Sequence, residues 1–128
     1  MIRKFRMNGI QWNVVYVHPN NSKLVDRTGR RTVATTDPRI REISIANNIH
    51  GEFRRRVLIH ELAHCAMVSY GLIEYIHQMV KERYWIAMEE MICNFLADYG
   101  MQIFRIASEI LGDEAIYIIP GYISNMVA

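Results

Sequence analysis

A five-residue segment, His60-Glu61-Leu62-Ala63-His64, contains the residue types from which hydrolytic zinc sites are built. On a helix, residues four apart lie one above the other, so His60 and His64 share a face and two imidazole nitrogens can bind one ion. Zinc binds neutral imidazole in a near-tetrahedral shell, and a catalytic site leaves one position for water. We therefore predict that His60 and His64 are metal ligands and that Glu61 is the general base.

The sequence around this segment is apolar and predicts a buried helix that ends near Gly71. Its apolar members are Val57, Leu58, Ile59, Leu62, Ala63, Ala66, Met67 and Val68. Two histidines and a glutamate are costly to bury there unless a partner satisfies their polar atoms, and a metal ion is such a partner. The alternative is a chance match on an ordinary helix.

A second helix is predicted over residues 85–99, and it offers a third ligand. Glu90 and Asn94 are four apart, beside a predicted core stripe of Met88, Met91, Ile92, Phe95 and Tyr99. We expect Glu90 to bind the metal and Asn94 to support the ligands with a hydrogen bond. Glu89 is the competing ligand, but the residue four positions after it is Cys93.

Composition predicts one globular domain spanning residues 1–128, since 51% of the 128 residues are hydrophobic and 22% are charged. The net charge of +2 is too small to indicate a nucleic-acid partner. The least charged stretch, residues 57–73, contains both histidines and Glu61, which makes it a poor membrane span. No apolar signal region follows the basic first residues. We expect a cytoplasmic protein without a membrane partner.

The pattern along the chain predicts an α+β fold, with a small, mostly antiparallel sheet over residues 10–47, helices over 52–112 and a tail over 113–128. Turns are predicted at residues 28–30 and 37–39. Helix ends are expected at Gly71, Gly100 and Gly112. The strand that precedes the zinc helix, residues 42–46, is either a sheet edge that pairs with an extended substrate or an inner strand.

Two further segments have open or structural interpretations. Cys65 and Cys93 lie within apolar helical patterns, which favours buried free thiols over a disulfide. The apolar tail is expected to pack on the body of the protein, and covering the cleft is an alternative.

The two predicted helices together resemble those of the gluzincin metallopeptidases, in which an HExxH helix is followed by a helix whose glutamate completes a His, His, Glu site. In particular, the chain is similar to the ImmA/IrrE family, the short zinc-peptidase domains of phages, mobile elements and bacterial stress regulators. The family pattern E-x-x-x-N-x-x-A matches Glu90-Met91-Ile92-Cys93-Asn94-Phe95-Leu96-Ala97, although Cys-Asn stands where Ala-Asn is usual. The likeness covers residues 10–100.

This resemblance implies a minimal zincin fold, with the sheet packed on the HExxH helix and on the helix that bears Glu90. It also implies a zinc-dependent endopeptidase that hydrolyses a protein or peptide, with a regulatory protein such as a repressor as a candidate substrate. His60, His64 and Glu90 would then bind Zn²⁺ while Glu61 takes the proton of the attacking water.

Three points stay open. An additional donor to the reacting carbonyl would help catalysis, and spacing does not select among Tyr84, His77, Tyr99, His50 and Tyr122. A second interpretation is a non-enzymatic module in which zinc fastens two helices together and the surface binds a protein or DNA. A third is a latent peptidase blocked by its own C-terminal tail.

Overall fold

The computed structural model describes residues 2–116, and these form an α+β fold, as the sequence predicts. The strands are β1 (Ile2–Met7), β2 (Ile10–Val17), β3 (Ala34–Asp37) and β4 (Glu42–Ala46). The α-helices are α1 (Gly51–Ser69), α2 (Leu72–Met79), α3 (Trp85–Phe95) and α4 (Met101–Leu111). Single 3₁₀ turns lie at Ser22–Leu24, Glu82–Tyr84 and Gly112–Ile116. The predictions for the tail beyond residue 116 fall outside the described residues.

The four strands form one mixed sheet in the order β1-β2-β4-β3. The pairs β1–β2 and β3–β4 are antiparallel, whereas β2 and β4 are parallel. Because β4 lies between β2 and β3, it is an inner strand, and Ile43, Ser44, Ile45 and Ala46 are all buried. The interpretation of residues 42–46 as a sheet edge was therefore wrong; the edge strands are β1 and β3, and β3 is the one beside β4.

The sheet begins earlier than the sequence pattern predicted, because Ile2–Met7 forms β1. A two-residue turn at Asn8-Gly9 connects β1 to β2, and both residues have positive φ, 49° and 76°. Such turns match the right-handed twist of the flanking strands, which is why Asn-Gly is a strong hairpin signal. The signal was present in the sequence and would have placed β1.

A hydrophobic core between the sheet and α1 fixes the helix that carries both histidines. Trp12 and Val14 alternate toward it from β2, and Ile43 contributes from β4. Trp12 is fully buried, and its Nε1 donates a hydrogen bond to Ser69 Oγ at 2.9 Å. Burying a large apolar side chain stabilises the fold by about 1.5–3 kcal/mol. The burial of Trp12 and its hydrogen bond to Ser69 therefore hold the C-terminal end of α1 on the sheet.

A second core joins α1 to α2 and α3. Its buried members are Ala63 and Met67 of α1, Ile76 of α2 and Cys93 of α3. This packing sets α3 beside α1 and so brings the two halves of the predicted site together. Cys65 and Cys93 are both free and buried, as predicted.

The chain from Trp85 to Leu111 keeps a right-handed helical backbone, with a π-helical segment at Leu96–Gly100 between α3 and α4. The helix end predicted at Gly100 was wrong, because Gly100 itself has α-helical angles, with φ −58° and ψ −41°. Gly71 and Gly112 do follow helix ends, and both have positive φ, 70° and 63°.

The predicted core stripe of α3 is only partly correct. Met88 and Ile92 pack against the second core. Met91, Phe95 and Tyr99 are exposed, at 58%, 51% and 55%, because α3 turns a different side toward α1. The buried residues of α3 are Glu89 and Cys93.

Within residues 2–116, the helices lack the combination of length and apolar character that a bilayer crossing requires.

Candidate metal centre

His60, His64 and Glu90 converge on one point between α1 and α3, as the sequence predicted. The Nε2 atoms of His60 and His64 are 3.1 Å apart. Glu90 Oε2 lies 3.1 Å from His60 Nε2, and Glu90 Oε1 lies 3.2 Å from His64 Nε2. Ligand atoms in a tetrahedral shell of 2.0–2.1 Å are separated by about 3.3 Å. Each imidazole Nε2 therefore lies close to this distance from the other and from one oxygen of Glu90, and one ligand atom from each of the three residues can be chosen so that all lie within 4.8 Å of one another.

The second nitrogen of His64 is held by Glu89. The distance from His64 Nδ1 to Glu89 Oε2 is 2.5 Å, and both side chains are buried. A carboxylate at Nδ1 keeps the proton on that nitrogen, so the lone pair of neutral His64 lies on Nε2, facing His60 and Glu90. Glu89, the competing ligand candidate, thus contacts the Nδ1 side of His64.

The histidines and carboxylates of this cluster shift one another's pKa values. Burial alone would lower the pKa of His64, but contacts with Cys93, Glu89 and Glu90 raise this pKa to about 12. Hydrogen bonds from His60 and His64 hold the pKa of Glu90 far below its ordinary value. A metal ion at this point would replace the proton, so we expect binding to release a proton and to strengthen as pH rises.

Glu61 lies beside the cluster and is 6% exposed. Thr36 Oγ1, on the edge strand β3, donates a hydrogen bond of 2.5 Å to Glu61 Oε2. Burial raises the pKa of Glu61, while the bond from Thr36 opposes the rise. Within the described part of the chain, Glu61 Oε1 accepts no hydrogen bond, which leaves that oxygen for a substrate or a water.

A cleft of about 1020 Å³ opens in front of these residues. Its floor contains His60, Glu61 and His64. Edge strand β3 forms one part of its wall, and the loop of residues 18–33 between β2 and β3 forms another. This loop, called the β2–β3 loop below, reaches across the cleft to α3.

Arg27 of the β2–β3 loop makes that crossing. Its Nη1 lies 3.1 Å from Glu89 Oε1 and its Nη2 lies 3.1 Å from Glu89 Oε2, a two-point contact. Nη2 is also 3.4 Å from Glu90 Oε1. Burial opposes the ionisation of Glu89, but the bonds from His64 and Arg27 outweigh it and lower the pKa of Glu89. Sequence spacing gave no signal for Arg27, because it lies 62 residues before Glu89.

Asn94 is exposed, and among residues 2–116 its side chain forms no hydrogen bond with His60, His64 or Glu90. The supporting bond predicted for Asn94 is made by Glu89 instead. Asn94 is exposed one helical turn after Glu90, and both residues line a shallow groove along α3.

The donors suggested by the sequence do not line the cleft in the described part of the chain. His77 stacks on Trp85 with ring centroids 3.6 Å apart, and His50 is the residue that precedes α1, more than two helical turns before His60. Tyr84 lies under the guanidinium of Arg83, and Tyr99 lines the shallow groove along α3 with Asn94. Tyr122 falls outside the described residues.

Comparison of the chain with protein-family models, with curated proteins and with solved structures gives no match. The likeness to the gluzincins and to the ImmA/IrrE family therefore depends on the residues of the two helices, and the minimal zincin fold stays a prediction.

Proposed function

We propose that this protein is a zinc-dependent endopeptidase. The observation that carries the proposal is the geometry of His60, His64 and Glu90. The two Nε2 atoms are 3.1 Å apart, and each lies within 3.2 Å of a Glu90 oxygen, beside the carboxylate of Glu61. Three protein ligands and a buried acid are typical of a catalytic zinc site, whereas structural sites normally close with four protein ligands and favour cysteine. The site could hold other divalent ions, but two imidazoles and one carboxylate suit zinc well.

Glu61 and Thr36 would each have a defined role in the reaction. Zinc, when bound, supplies Lewis acidity and makes water a better nucleophile near neutral pH. Glu61 accepts the proton of the attacking water at Oε1 and returns it to the departing amine. Thr36 holds the other oxygen of Glu61, so the carboxylate keeps one orientation during the reaction.

The edge position of β3 supports a peptide as substrate. Val33 O accepts a hydrogen bond from Ala46 N at 2.8 Å, so residues 33 and 35 direct their backbone groups toward β4. By the alternation of an antiparallel ladder, Thr36 directs its N–H and C=O away from the sheet, along the cleft. An extended peptide could pair there through backbone bonds, with its scissile bond close to Glu61.

The test is a pair of glutamine variants with zinc analysis and a peptide-library cleavage screen. Glu61→Gln should retain one zinc per chain and lose peptidase activity by at least about 10³-fold, because it removes the base but no ligand. Glu74→Gln is the matched control, since Glu74 is an exposed acid at the same cleft, on α2, and should leave the rate unchanged.

The same experiment separates the enzyme from a non-enzymatic module. His60→Ala and Glu90→Ala should weaken zinc binding itself, in both interpretations. A Glu61→Gln variant that performs every confirmed function as well as the unmodified protein would remove the peptidase proposal and favour the module.

A further inference from the structure

We propose that Arg27 is a catalytic residue of this site, and that its guanidinium stabilises the negative charge that develops on the carbonyl oxygen of the scissile peptide bond. The inference rests on the proposed peptidase function. It assigns the donor for which the sequence offered only tyrosines and histidines.

The first support is position. Arg27 Nη2 lies 3.4 Å from Glu90 Oε1, and that oxygen lies 3.2 Å from His64 Nε2. The guanidinium is thus adjacent to the cluster of His60, His64 and Glu90, on the open side of the cleft. Its side chain is 46% exposed, although it contacts two carboxylates. A guanidinium has more N–H donors than these contacts use, so donors remain for a substrate oxygen.

The second support is that Arg27 is fixed before any substrate arrives. Glu89 holds it at two points, and Glu89 is itself held by His64. A donor whose orientation is already set needs no reorganisation when charge develops, which is the condition for effective electrostatic catalysis.

Hydrogen bonds within the β2–β3 loop hold the backbone on both sides of Arg27. Asp26 Oδ1 accepts hydrogen bonds from Thr28 N at 2.8 Å and from Arg30 N at 3.0 Å. Leu24 is fully buried, and Leu24 O accepts a bond from Thr32 N at 2.8 Å. Arg27 therefore extends from a turn whose backbone is fixed by these hydrogen bonds.

Two other cations of the cleft wall are engaged elsewhere. Lys23 pairs with Glu42 at 2.7 Å, and Arg39 pairs with Asp37 at 3.2 Å. Arg27 is the arginine that contacts the carboxylates of α3 in the described part of the chain.

The step in which Arg27 acts is the hydrolysis of one amide. The oxygen of a water adds to the carbonyl carbon, its proton passes to Glu61, and the carbonyl π electrons move onto the carbonyl oxygen. That oxygen receives hydrogen bonds from Arg27 while it is negative. The electron pair on that oxygen then re-forms the C=O bond as the C–N bond breaks, and Glu61 gives its proton to the leaving nitrogen. The products are a carboxylic acid and an amine, which become a carboxylate and an ammonium when the proton of the new acid passes to the amine. No oxidant, reductant or co-reactant besides water is consumed.

The activity test compares Arg27→Met with Arg30→Met, which removes the same charge from the same loop. Removal of one donor to a developing oxyanion lowers kcat by about 10²–10³-fold. We expect Arg27→Met to lose kcat by about that factor, with KM within about threefold of the unmodified protein and with one zinc per chain. Arg30→Met should lose less than about threefold.

A binding measurement that needs no turnover completes the test. Two inhibitors are made on the sequence of the best library peptide, a phosphinic analogue with a tetrahedral, charged centre and a ketomethylene analogue with a planar one. Because Arg27 contacts the oxygen only in its charged form, Arg27→Met should weaken the phosphinic analogue by about the factor lost in kcat. The ketomethylene analogue should change by less than about threefold.

Three results would overturn the role of Arg27 while leaving the peptidase in place: an unchanged kcat, an equal loss of affinity for both analogues, or a loss of zinc affinity that accounts for the loss of rate. A zinc-loaded, unmodified protein that cleaves no library peptide would overturn both proposals.

Discussion

Glu89 and His64 form a buried contact of 2.5 Å between Oε2 and Nδ1, and this contact explains why two adjacent glutamates serve one site. Glu90 faces the Nε2 side of the same imidazole at 3.2 Å. Successive residues of a helix point about 100° apart. His64 of α1 can therefore contact Glu89 through Nδ1 and Glu90 through Nε2. Glu89 and Glu90 thus contact different nitrogens of His64.

Glu89→Gln should weaken zinc binding without abolishing it. The amide cannot accept the His64 proton as strongly as a carboxylate does, and loss of such a supporting bond typically lowers metal affinity by about 10–100-fold. The measurement is competition for zinc against a chelator of known affinity.

Glu90→Gln is the informative comparison, because it removes a ligand and should lose more affinity than Glu89→Gln. Equal losses in the two variants would mean that both glutamates contribute in the same way. A Glu89→Gln protein with unmodified affinity would show that the contact with His64 does not support the metal.

The local parts of the site were predictable from the sequence. His60, Glu61 and His64 occur within one helical turn, and the i, i+4 geometry of a helix alone places both imidazoles on one face. Glu90 was predictable because the second helix repeats a known pattern. The fold class and the helix ends at Gly71 and Gly112 followed from periodicity and from glycine's tolerance of positive φ.

Contacts between distant segments were not predictable in this way. Thr36 and Arg27 reach the site because β3 is an edge strand and because the β2–β3 loop turns back over the cleft, and both facts depend on strand order. Glu89 was ranked below Glu90 as a ligand, and the carboxylate of Glu90 is the one that lies beside both Nε2 atoms. The bond of Glu89 to His64 depends on the rotation of α3 about its axis. That rotation also exposes Met91 and Phe95, which the periodicity of the sequence assigned to the core.

Zinc should stabilise the protein against thermal unfolding. A ligand that binds the folded state alone adds about 2.7 kcal/mol when its free concentration is about 100-fold above Kd. For a domain of this size we expect Tm to rise by roughly 10 °C on zinc addition and to fall again with a chelator. Glu61→Gln should keep this response, whereas Glu90→Ala should lose most of it. A Tm that does not change when zinc is added would contradict the proposed metal site.

Ser69→Ala should destabilise the contact between the sheet and α1. It leaves the buried N–H of Trp12 without its acceptor, and an unsatisfied buried donor costs about 1–3 kcal/mol. Urea unfolding of the metal-free protein measures the loss. In a Trp12→Phe background the donor is absent, so Ser69→Ala should then cost less than about 0.5 kcal/mol. Equal costs in the two backgrounds would show that the bond contributes nothing to stability.

The acid limb of the activity profile should report Glu61. Burial raises the pKa of Glu61 above the ordinary glutamate value of about 4.3, so activity should fall as pH decreases through a midpoint above that value, where the base becomes protonated. The Thr36 hydroxyl favours the ionised carboxylate, and Thr36→Val removes it. The pKa of Glu61 should then rise further, moving the limb to higher pH. Thr36→Ser retains a hydroxyl and should keep the limb in place.

The profiles of kcat/KM are measured at saturating zinc, so that protonation of the ligands does not shift them. Coincident limbs for Thr36→Val and Thr36→Ser would mean that the base is a group other than Glu61, or that the Thr36 hydroxyl leaves its pKa unchanged.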